Sequence, residues 1–406
     1  MFETLEELAG FAKLVNSGND FDGKIINLCT DIQLNSNAWM PIGINRECSF
    51  KGVFNGNNHV IYGLNIYDYD YAGLFGVIEE YAFIKNTIID DQSSISGKIF
   101  AGSIVANASE TAIITCCINS GNVDASCVNY NNGYYSKNSY SYAGGIVGYD
   151  GTVEFCGNYG NISAYASSDI QPDAYAGGIS GSSSTITGCF NKGDIYSATQ
   201  SNATASYSRV SYSYAGGISG YFSKITDCYN CGQVDASTSK YSSVGGILAI
   251  GYSKDILNSY NIGHIGNEYY GAGIIDGSYD SKEMNNVENS YYLNSSASCG
   301  IGNVKNDTVV SPNEASMKKE NFAKTLGDAF VYVEGDYPKL AWEINEFILG
   351  DVNADKKFNI SDVVMLQKWL LGAGELTNWK AGDLCEDNII NAFDLCLMKR
   401  KLIEMI

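Results

Sequence analysis

Positive charge is scarce in this chain of 406 residues: Lys and Arg together number 25 against 45 Asp and Glu, a formal net charge of −20. So acidic a surface repels polyphosphates and anionic headgroups, which excludes nucleic acid and membrane surfaces as partners. Arg occurs only at Arg46, Arg209 and Arg400, and His only at His59 and His264. The bases and substrate clamps that lyases and hydrolases of acidic polysaccharides use are therefore few. His59 stands beside Asn57-Asn58 at a turn, where a solvated or backbone-bonded imidazole is expected. No apolar run approaches the ~20 residues that span a bilayer, so no membrane insertion is expected. Met1-Phe2-Glu3 opens without the basic and then apolar segments of a signal peptide, which leaves a cytoplasmic protein or a mature chain with an added Met. Helix interiors are also excluded from the middle of the chain, because Gly is too dense there.

What is abundant is repetition. A small-residue signature returns as AGLF at Ala72–Phe75, AGSI at Ala101–Ile104, AGGI at Ala143–Ile146, Ala176–Ile179 and Ala215–Ile218, VGGI at Val244–Ile247 and GAGI at Gly271–Ile274. Successive starts lie 29, 42, 33, 39, 29 and 27 residues apart. A second signature follows in most copies: CINSGNV from Cys117, CGNYGNI from Cys156, CFNKGDI from Cys189, CYNCGQV from Cys228 and SYNIGHI from Ser259. Segments such as GGIVG, TVEFC and NISAYA read as strands between Gly and Asn turns. Three short strands per repeat make one coil of a right-handed parallel β-helix, mainly β, in which no unit buries its apolar face alone. Stacked coils place equivalent residues ~4.8 Å apart. Asn119, Asn158, Asn191, Asn230 and Asn261 are then expected to form a ladder, each amide satisfying backbone at its neighbour's turn. Cys117, Cys156, Cys189 and Cys228 form an inward thiol stack, behaving as small buried hydrophobes rather than disulfides, since stacked Cβ vectors run parallel.

The ends differ from the middle. Leu5, Leu8, Phe11, Ala12 and Val15 follow helical spacing until Ser17-Gly18-Asn19, a helix that caps the exposed end of the solenoid. KIINLCTDIQL, FKGVFNG and HVIYGLNI lay down the first coils. Ser311-Pro312-Asn313-Glu314 reads as N-cap, first-turn Pro and capping-box Glu of a helix that ends at Gly327. FVYVEGDYPKLAW then closes the far end as a hairpin-like piece. Composition changes between Glu343 and Gly350, which places a boundary between a domain of residues 1–345 and one of residues 346–406.

FDGKIINLCTDIQLNSNAWMPIG, FKGVFNGNNHVIYGLNI and the repeated AGGIxG and CxNxGxI resemble bacterial GLUG-motif repeat proteins, over nearly everything to Trp342. The resemblance implies an exported β-helix often engaged in surface contact, and it carries over no catalytic residues.

Between the repeats lie insertions rich in Tyr, Ser and Asn: Asp124–Tyr142, Ser163–Tyr175, Tyr196–Tyr214 and, shorter, Asp235–Ser243. Recurring at one phase, they emerge on one side of the solenoid. Tyr134, Tyr135, Tyr140, Tyr142, Tyr207, Tyr212 and Tyr214 then offer apolar faces with hydroxyls, suited to a polysaccharide or a protein. The alternative is that these are extended strands and loops whose Tyr stack on each other.

The last segment carries the sharpest chemistry. DVNADKKFNISD places Asp351, Asn353, Asp355, Asn359 and Asp362 at the first, third, fifth, ninth and twelfth places of a loop, with the Lys357 carbonyl at the seventh. Calcium takes six to eight oxygens, and this spacing wraps them round one ion. An amphipathic helix follows, with Val363, Leu366, Trp369 and Leu370 on one face. The pattern recurs 32 residues on as DLCEDNIINAFD, with Asp383, Asp387, Asn391, Asp394 and the Ile389 carbonyl. Two copies, each followed by a helix, make a small all-α calcium-binding pair.

This duplicated segment resembles the dockerin module of cellulosomal proteins, which docks on the cohesin module of a scaffoldin. The resemblance assigns the calcium ligands as above and partner recognition to Ile360-Ser361 and Ala392-Phe393. Cys385 departs from it at the third place of the second loop, where an oxygen is expected, and Lys356 and Asn388 stand where Gly usually makes the turn. The two resemblances together imply an extracellular, cellulosome-associated protein whose β-helix binds polysaccharide or a surface ligand without catalysis. The alternatives are a polysaccharide lyase or glycoside hydrolase on the β-helix, delivered by the same module, and a purely structural or adhesive protein.

Overall fold

The computed structural model describes residues 2–35, 37–129, 139–168, 171–183, 185–201, 210–221, 223–238, 240–251, 256–266, 271–278, 286–302, 309–344, 349–353, 355, 357–374, 376–385 and 389–404. The chain divides into two compact units, Met1–Pro338 and Lys339–Ile406.

The first unit is a parallel β-helix. Among its described residues, successive coils contribute strands to four sheets of nine, nine, seven and eleven strands. From Ser139–Gly144 the chain passes through Val147–Tyr149, Thr152–Glu154 and Gly157–Asn158 to Ile162–Ser168. Each strand pairs in parallel with its counterpart one coil on: Val147 with Ser180, Val153 with Ile186, Asn158 with Asn191 and Ile162 with Ile195. This coil therefore has five strands where three are expected, and they fall in four sheets because Ser139–Gly144 and Ile162–Ser168 belong to the same one. One of the added strands, Gly157–Asn158, is two residues long and too short to leave a pattern of its own. Ile146, Ile179, Ile218 and Ile247 of the first signature meet Val153, Ile186, Ile225 and Ile256 in one buried core. Each such side chain contributes about 1.5–3 kcal/mol, but only when the coils on both sides cover it.

Two side-chain columns lock the coils together. Asn119, Asn158, Asn191 and Asn230 each donate from Nδ2 to the Oδ1 of the next Asn, ending on Asn261, at 2.7–2.8 Å. The second Nδ2 hydrogen goes to the carbonyl of the Gly two residues on, whose N–H donates back to the same Oδ1, for example Asn191 with Gly193 at 2.7 and 3.2 Å. Each amide thus closes its own turn and reaches its neighbour's amide, where the sequence suggests the neighbour's backbone. The second Gly of the first signature follows from this. A Cβ at Gly145, Gly178, Gly217 or Gly246 would lie 2.3–2.5 Å from the amide carbon of Asn158, Asn191, Asn230 or Asn261.

The second column begins at Thr87 and runs through Cys117, Cys156, Cys189 and Cys228 to Ser259 and Ser290. Each thiol donates to the carbonyl two residues back, as Cys189 does to Thr187 at 3.3 Å. The Sγ atoms of Cys156, Cys189 and Cys228 also accept the N–H of the preceding coil's Cys, as Cys189 does from Cys156 at 3.3 Å. Ser259 and Ser290 take both roles through their hydroxyls, at 2.8–3.2 Å. These thiols are free, and they act as hydroxyl equivalents at a turn rather than as plain hydrophobes. Burial holds the Cys156 and Cys228 thiols well above their usual range. The residue just before each column member is in left-handed backbone, whether Cys116, Phe155, Gly188, Asp227 or Asn258.

The N-terminal helix, Leu5–Val15, forms as expected, closed by a Thr4/Glu7 capping box and burying Leu8, Phe11, Ala12 and Val15. Phe11 meets Phe2, Phe21, Phe50 and Phe54 over the first coils. The C-terminal piece differs from expectation. Asn313, not Ser311, caps the helix Glu314–Met317, and a second helix, Glu320–Leu326, follows. Nor does this piece only close the end: Phe322 and Phe330 lie 6.1 and 5.7 Å from Tyr260, the last ring of the stack Phe190–Tyr229–Tyr260 on the outside of the coils.

The insertions build a two-layered fin. Ser94–Gly102 is one strand whose start pairs with Asn122–Asn129 and whose end pairs with Ser139–Gly144. From there an outgoing layer, continued by Ile162–Ser168, Ile195–Ser201 and Val234–Thr238, faces a returning layer, continued by Pro172–Gly177, Tyr212–Gly216 and Tyr241–Gly245. Small buried side chains let the layers touch. Ser197 Oγ lies 2.6 Å from Ser213 Oγ, and Ser139 Oγ donates to the Ser167 carbonyl at 2.9 Å.

Replacing Asn191 by Ala is expected to lower stability by about 2–4 kcal/mol, since it leaves the buried Asn158 Nδ2 without its acceptor on one side and the buried Asn230 Oδ1 without that donor on the other. Cys189→Ser is expected to cost under about 1 kcal/mol, and Cys189→Val about 1–3 kcal/mol because Val neither donates nor accepts. Urea unfolding midpoints of the three variants check this order.

Candidate functional site

In the second unit two helices, Ile360–Leu370 and Ala392–Glu404, share a small core of Val352, Phe358, Val363, Leu366 and Met398. Trp369, expected on the inner face, is 37% exposed. A loop precedes each helix, and the two loops carry matching bonds. Asp362, fully buried, accepts the N–H groups of Asn353 at 3.3 Å and Asn359 at 2.9 Å. Asp394, also fully buried, accepts those of Cys385 at 3.1 Å and Asn391 at 2.9 Å. Asn359 and Asn391 cap their helices by accepting from Ser361 at 2.8 Å and Phe393 at 2.7 Å.

The first loop turns its oxygens inward. The Asp355 N–H donates to Asp351 Oδ1 at 3.1 Å and to Asn353 Oδ1 at 2.8 Å, which holds both side chains over the loop. Burial pushes the Asp362 carboxyl up; the Asn359 and Asn353 N–H groups oppose this, and the Asp351 and Asp355 carboxylates add to it. Three carboxylates gathered in this way are relieved by a divalent cation, and the all-oxygen set with the Lys357 carbonyl suits calcium.

The second loop brings together Asp383, Cys385 and Asp394, whose ligand atoms all lie within 4.8 Å of one another. Its third-place donor is sulfur, not the oxygen that calcium prefers. The Ile389 carbonyl accepts Asn391 Nδ2 at 3.2 Å. Asp387, Lys356 and Asn388 lie outside the described residues.

Ile360, Ser361, Ala392 and Phe393 are all exposed at the first turns of their helices, Ile360 at 61% and Phe393 at 60%. Val364 and Leu371, 44% and 75% exposed, share the Ile360 side of their helix, within about 40° at 100° per residue. Sequence reasoning missed this stripe, because in the doublet Val363-Val364 either residue can face the core.

On the β-helix the Tyr residues part company. Tyr71, Phe100, Tyr142, Tyr175 and Tyr214 form one stack, with centroids 4.5–5.4 Å apart. Tyr149 and Tyr221 close over it edge-on, leaving Tyr214 only 4% exposed. Burial raises the Tyr142 and Tyr175 hydroxyls above their usual range. Tyr140, Tyr212 and Tyr241 run beside this stack toward solvent, with Tyr212 and Tyr241 stacked at 5.6 Å. Tyr134, Tyr135 and Tyr207 lie outside the described residues. On the outgoing layer a groove of about 370 Å³ is lined by Asp124, Asn161, Ser163, Asp194 and Tyr196 among others. Burial raises the Asp124 carboxyl there, against hydrogen bonds from Ser163 and Ser96.

Asp276, 5% exposed, accepts the Val244 N–H at 3.2 Å, and burial raises its carboxyl to about 7. A folded pKa above the unfolded one makes its stabilisation complete below about pH 4 and lost as pH rises through about 7. The melting temperature is expected to fall as pH rises from about 4 to about 7, and Asp276→Asn to flatten that slope.

Residues 349–403 match the family model of the dockerin type I domain. Domains of this type bind calcium and dock onto cohesin modules. Among solved structures the chain is similar to an immunoglobulin A1 protease-like protein from Bacteroides ovatus, at 17% identity over 84% of this chain and 92% of that one, with a TM-score of 0.48. No activity passes between proteins at that similarity. No curated protein matches the chain by sequence.

Proposed function

We propose that this is an extracellular, cellulosome-type component, in which a cation-loaded dockerin tethers a non-catalytic β-helix to the cohesin of a scaffoldin. The carrying observation is the duplicated loop: fully buried Asp362 and Asp394 hold the same pair of backbone N–H groups in each copy. Calcium in the first loop draws Asp351, Asn353, Asp355 and Asp362 together with the Lys357 carbonyl. The second loop closes on a cation of its own through Asp383, Asp394 and, in sequence, Asp387. Ordered loops fix the first turns of both helices, so that Ile360, Ser361, Ala392 and Phe393 present one docking surface, extended by Val364 and Leu371.

The β-helix serves as the binding part. Tyr212 and Tyr241 stack on adjacent coils and Tyr140 lies two coils before Tyr212, across buried Asp173, so the three make an interrupted aromatic track with Tyr142 half-buried beside it. Stacking of sugar rings on such a track, with hydroxyls nearby, suits a neutral plant or cell-surface polysaccharide. The chain's negative charge disfavours acidic ones. Tyr214 supports the track from beneath and has no face left for a ligand. A second reading, hydrolysis of a glycan, is favoured by Asp124, whose raised carboxyl stands in the groove with Asp194.

Asp351→Ala with Asp355→Ala is expected to abolish capture by a panel of cohesin modules, and Phe393→Asp to weaken capture while calcium uptake is unchanged. Capture that persists in a strong calcium chelator contradicts the tethering reading. Tyr140→Ala with Tyr212→Ala is expected to weaken retention on xylan or mannan about tenfold, at about 0.5–1.5 kcal/mol for each ring, with the urea midpoint unchanged. Incubating the intact protein with these glycans is expected to release no reducing ends. Release that Asp124→Asn removes would establish the hydrolytic reading instead.

A further inference from the structure

We propose that the second loop of the C-terminal unit holds a thiophilic divalent cation of the zinc class, with Cys385 Sγ as a ligand beside Asp383 and Asp394. This rests on the reading of that loop as a metal loop and names its metal.

The two loops share a frame and differ in chemistry. In both, the twelfth-place Asp takes N–H groups from the third and ninth places, so the backbone presents the third side chain in the same way. That side chain is Asn353 in the first loop and Cys385 in the second. Calcium surrounds itself with six to eight hard oxygens at about 2.3–2.6 Å, and a sulfur in that shell is both soft and too large. Zinc takes four ligands, with sulfur at about 2.3 Å and carboxylate oxygen at about 2.0–2.2 Å. Two such bonds at the tetrahedral angle put sulfur and oxygen about 3.6 Å apart. Cys385 Sγ lies 3.7 Å from Asp383 Oδ1.

The surroundings favour an ion there. Asp383 is 7% exposed and Asp394 fully buried, so two carboxylate ligands are withdrawn from water. Cys385 is only half-buried, which leaves a way in. Binding replaces the S–H bond by a sulfur–metal bond and releases one proton to solvent. The two loops thereby answer to different metals, and the second helix is set by a cation that calcium does not replace.

Cadmium serves as the probe, because a cadmium–thiolate bond absorbs in the near ultraviolet. The full chain, stripped of metal, kept reduced with a phosphine and then saturated with calcium, is titrated with cadmium. One cadmium per chain is expected to raise the thiolate band, zinc to displace it, and a large excess of calcium to leave it in place. Cys385→Ser is expected to lose the band, whereas Cys116→Ser with Cys396→Ser, the two exposed thiols, keeps it. Cys385→Asp is expected to exchange the band for a second bound calcium. No band, a band that survives in Cys385→Ser, or a band that calcium erases overturns the proposal. Asp351→Ala with Asp355→Ala separates it from the tethering reading, since that variant loses calcium uptake and keeps the band. If cadmium fails while calcium-dependent cohesin capture persists, only this inference falls.

Discussion

The asparagine column is the constraint on which the rest of the β-helix depends. From Asn119 to Asn261 every side-chain donor and acceptor is used, within the turn and between turns, in a site closed to water. A column of this kind tolerates no slippage, because a shift by one residue leaves an amide unpaired on each of these five coils. Over these five coils it therefore sets the register, and with it the alignment of the isoleucines that form the core there. The second glycine of the first signature is its steric consequence, the glycine of the second signature is required by the preceding coil's Gly carbonyl, and the thiol and hydroxyl column plays the same part at the turn before it.

A fixed coil register is also what permits the fin. Insertions of different length leave the coil at one phase, and their strands still pair because the coils below them are already in register. The two layers meet through Ala, Ser and Thr, which allows the close approach that larger side chains would prevent. Whether a Tyr on the outer side becomes core or surface is then decided by its neighbours. Tyr214 is sealed by Tyr221, while Tyr140 and Tyr241 are 37% and 51% exposed.

Much of this is legible in the residues and some is not. The parallel β-helix, the asparagine ladder and the N-terminal helix follow from repeated side chains at fixed spacing. The two-residue strands do not, since Gly157-Asn158 carries no periodicity. The left-handed position has no common residue type, because Cys116, Phe155 and Asp227 adopt it under the pull of the column that comes next. The fin looks like loop in the sequence, since Ser and Asn mark turns as readily as tightly packed strands. In the C-terminal unit the ligand spacing is plain, and so is the odd sulfur at Cys385. Which of Val363 and Val364 is buried only the packing of the two helices decides.

The central claim is that a calcium-ordered dockerin presents one docking surface on behalf of the β-helix. An experimental structure of the full chain bound to a cohesin module in calcium tests it most directly. The account predicts an ion at about 2.3–2.6 Å from oxygens of Asp351, Asp355 and Asp362, with Ile360 and Phe393 buried against the cohesin. A complex whose first loop holds no ion, or whose cohesin rests elsewhere on the chain, would contradict it.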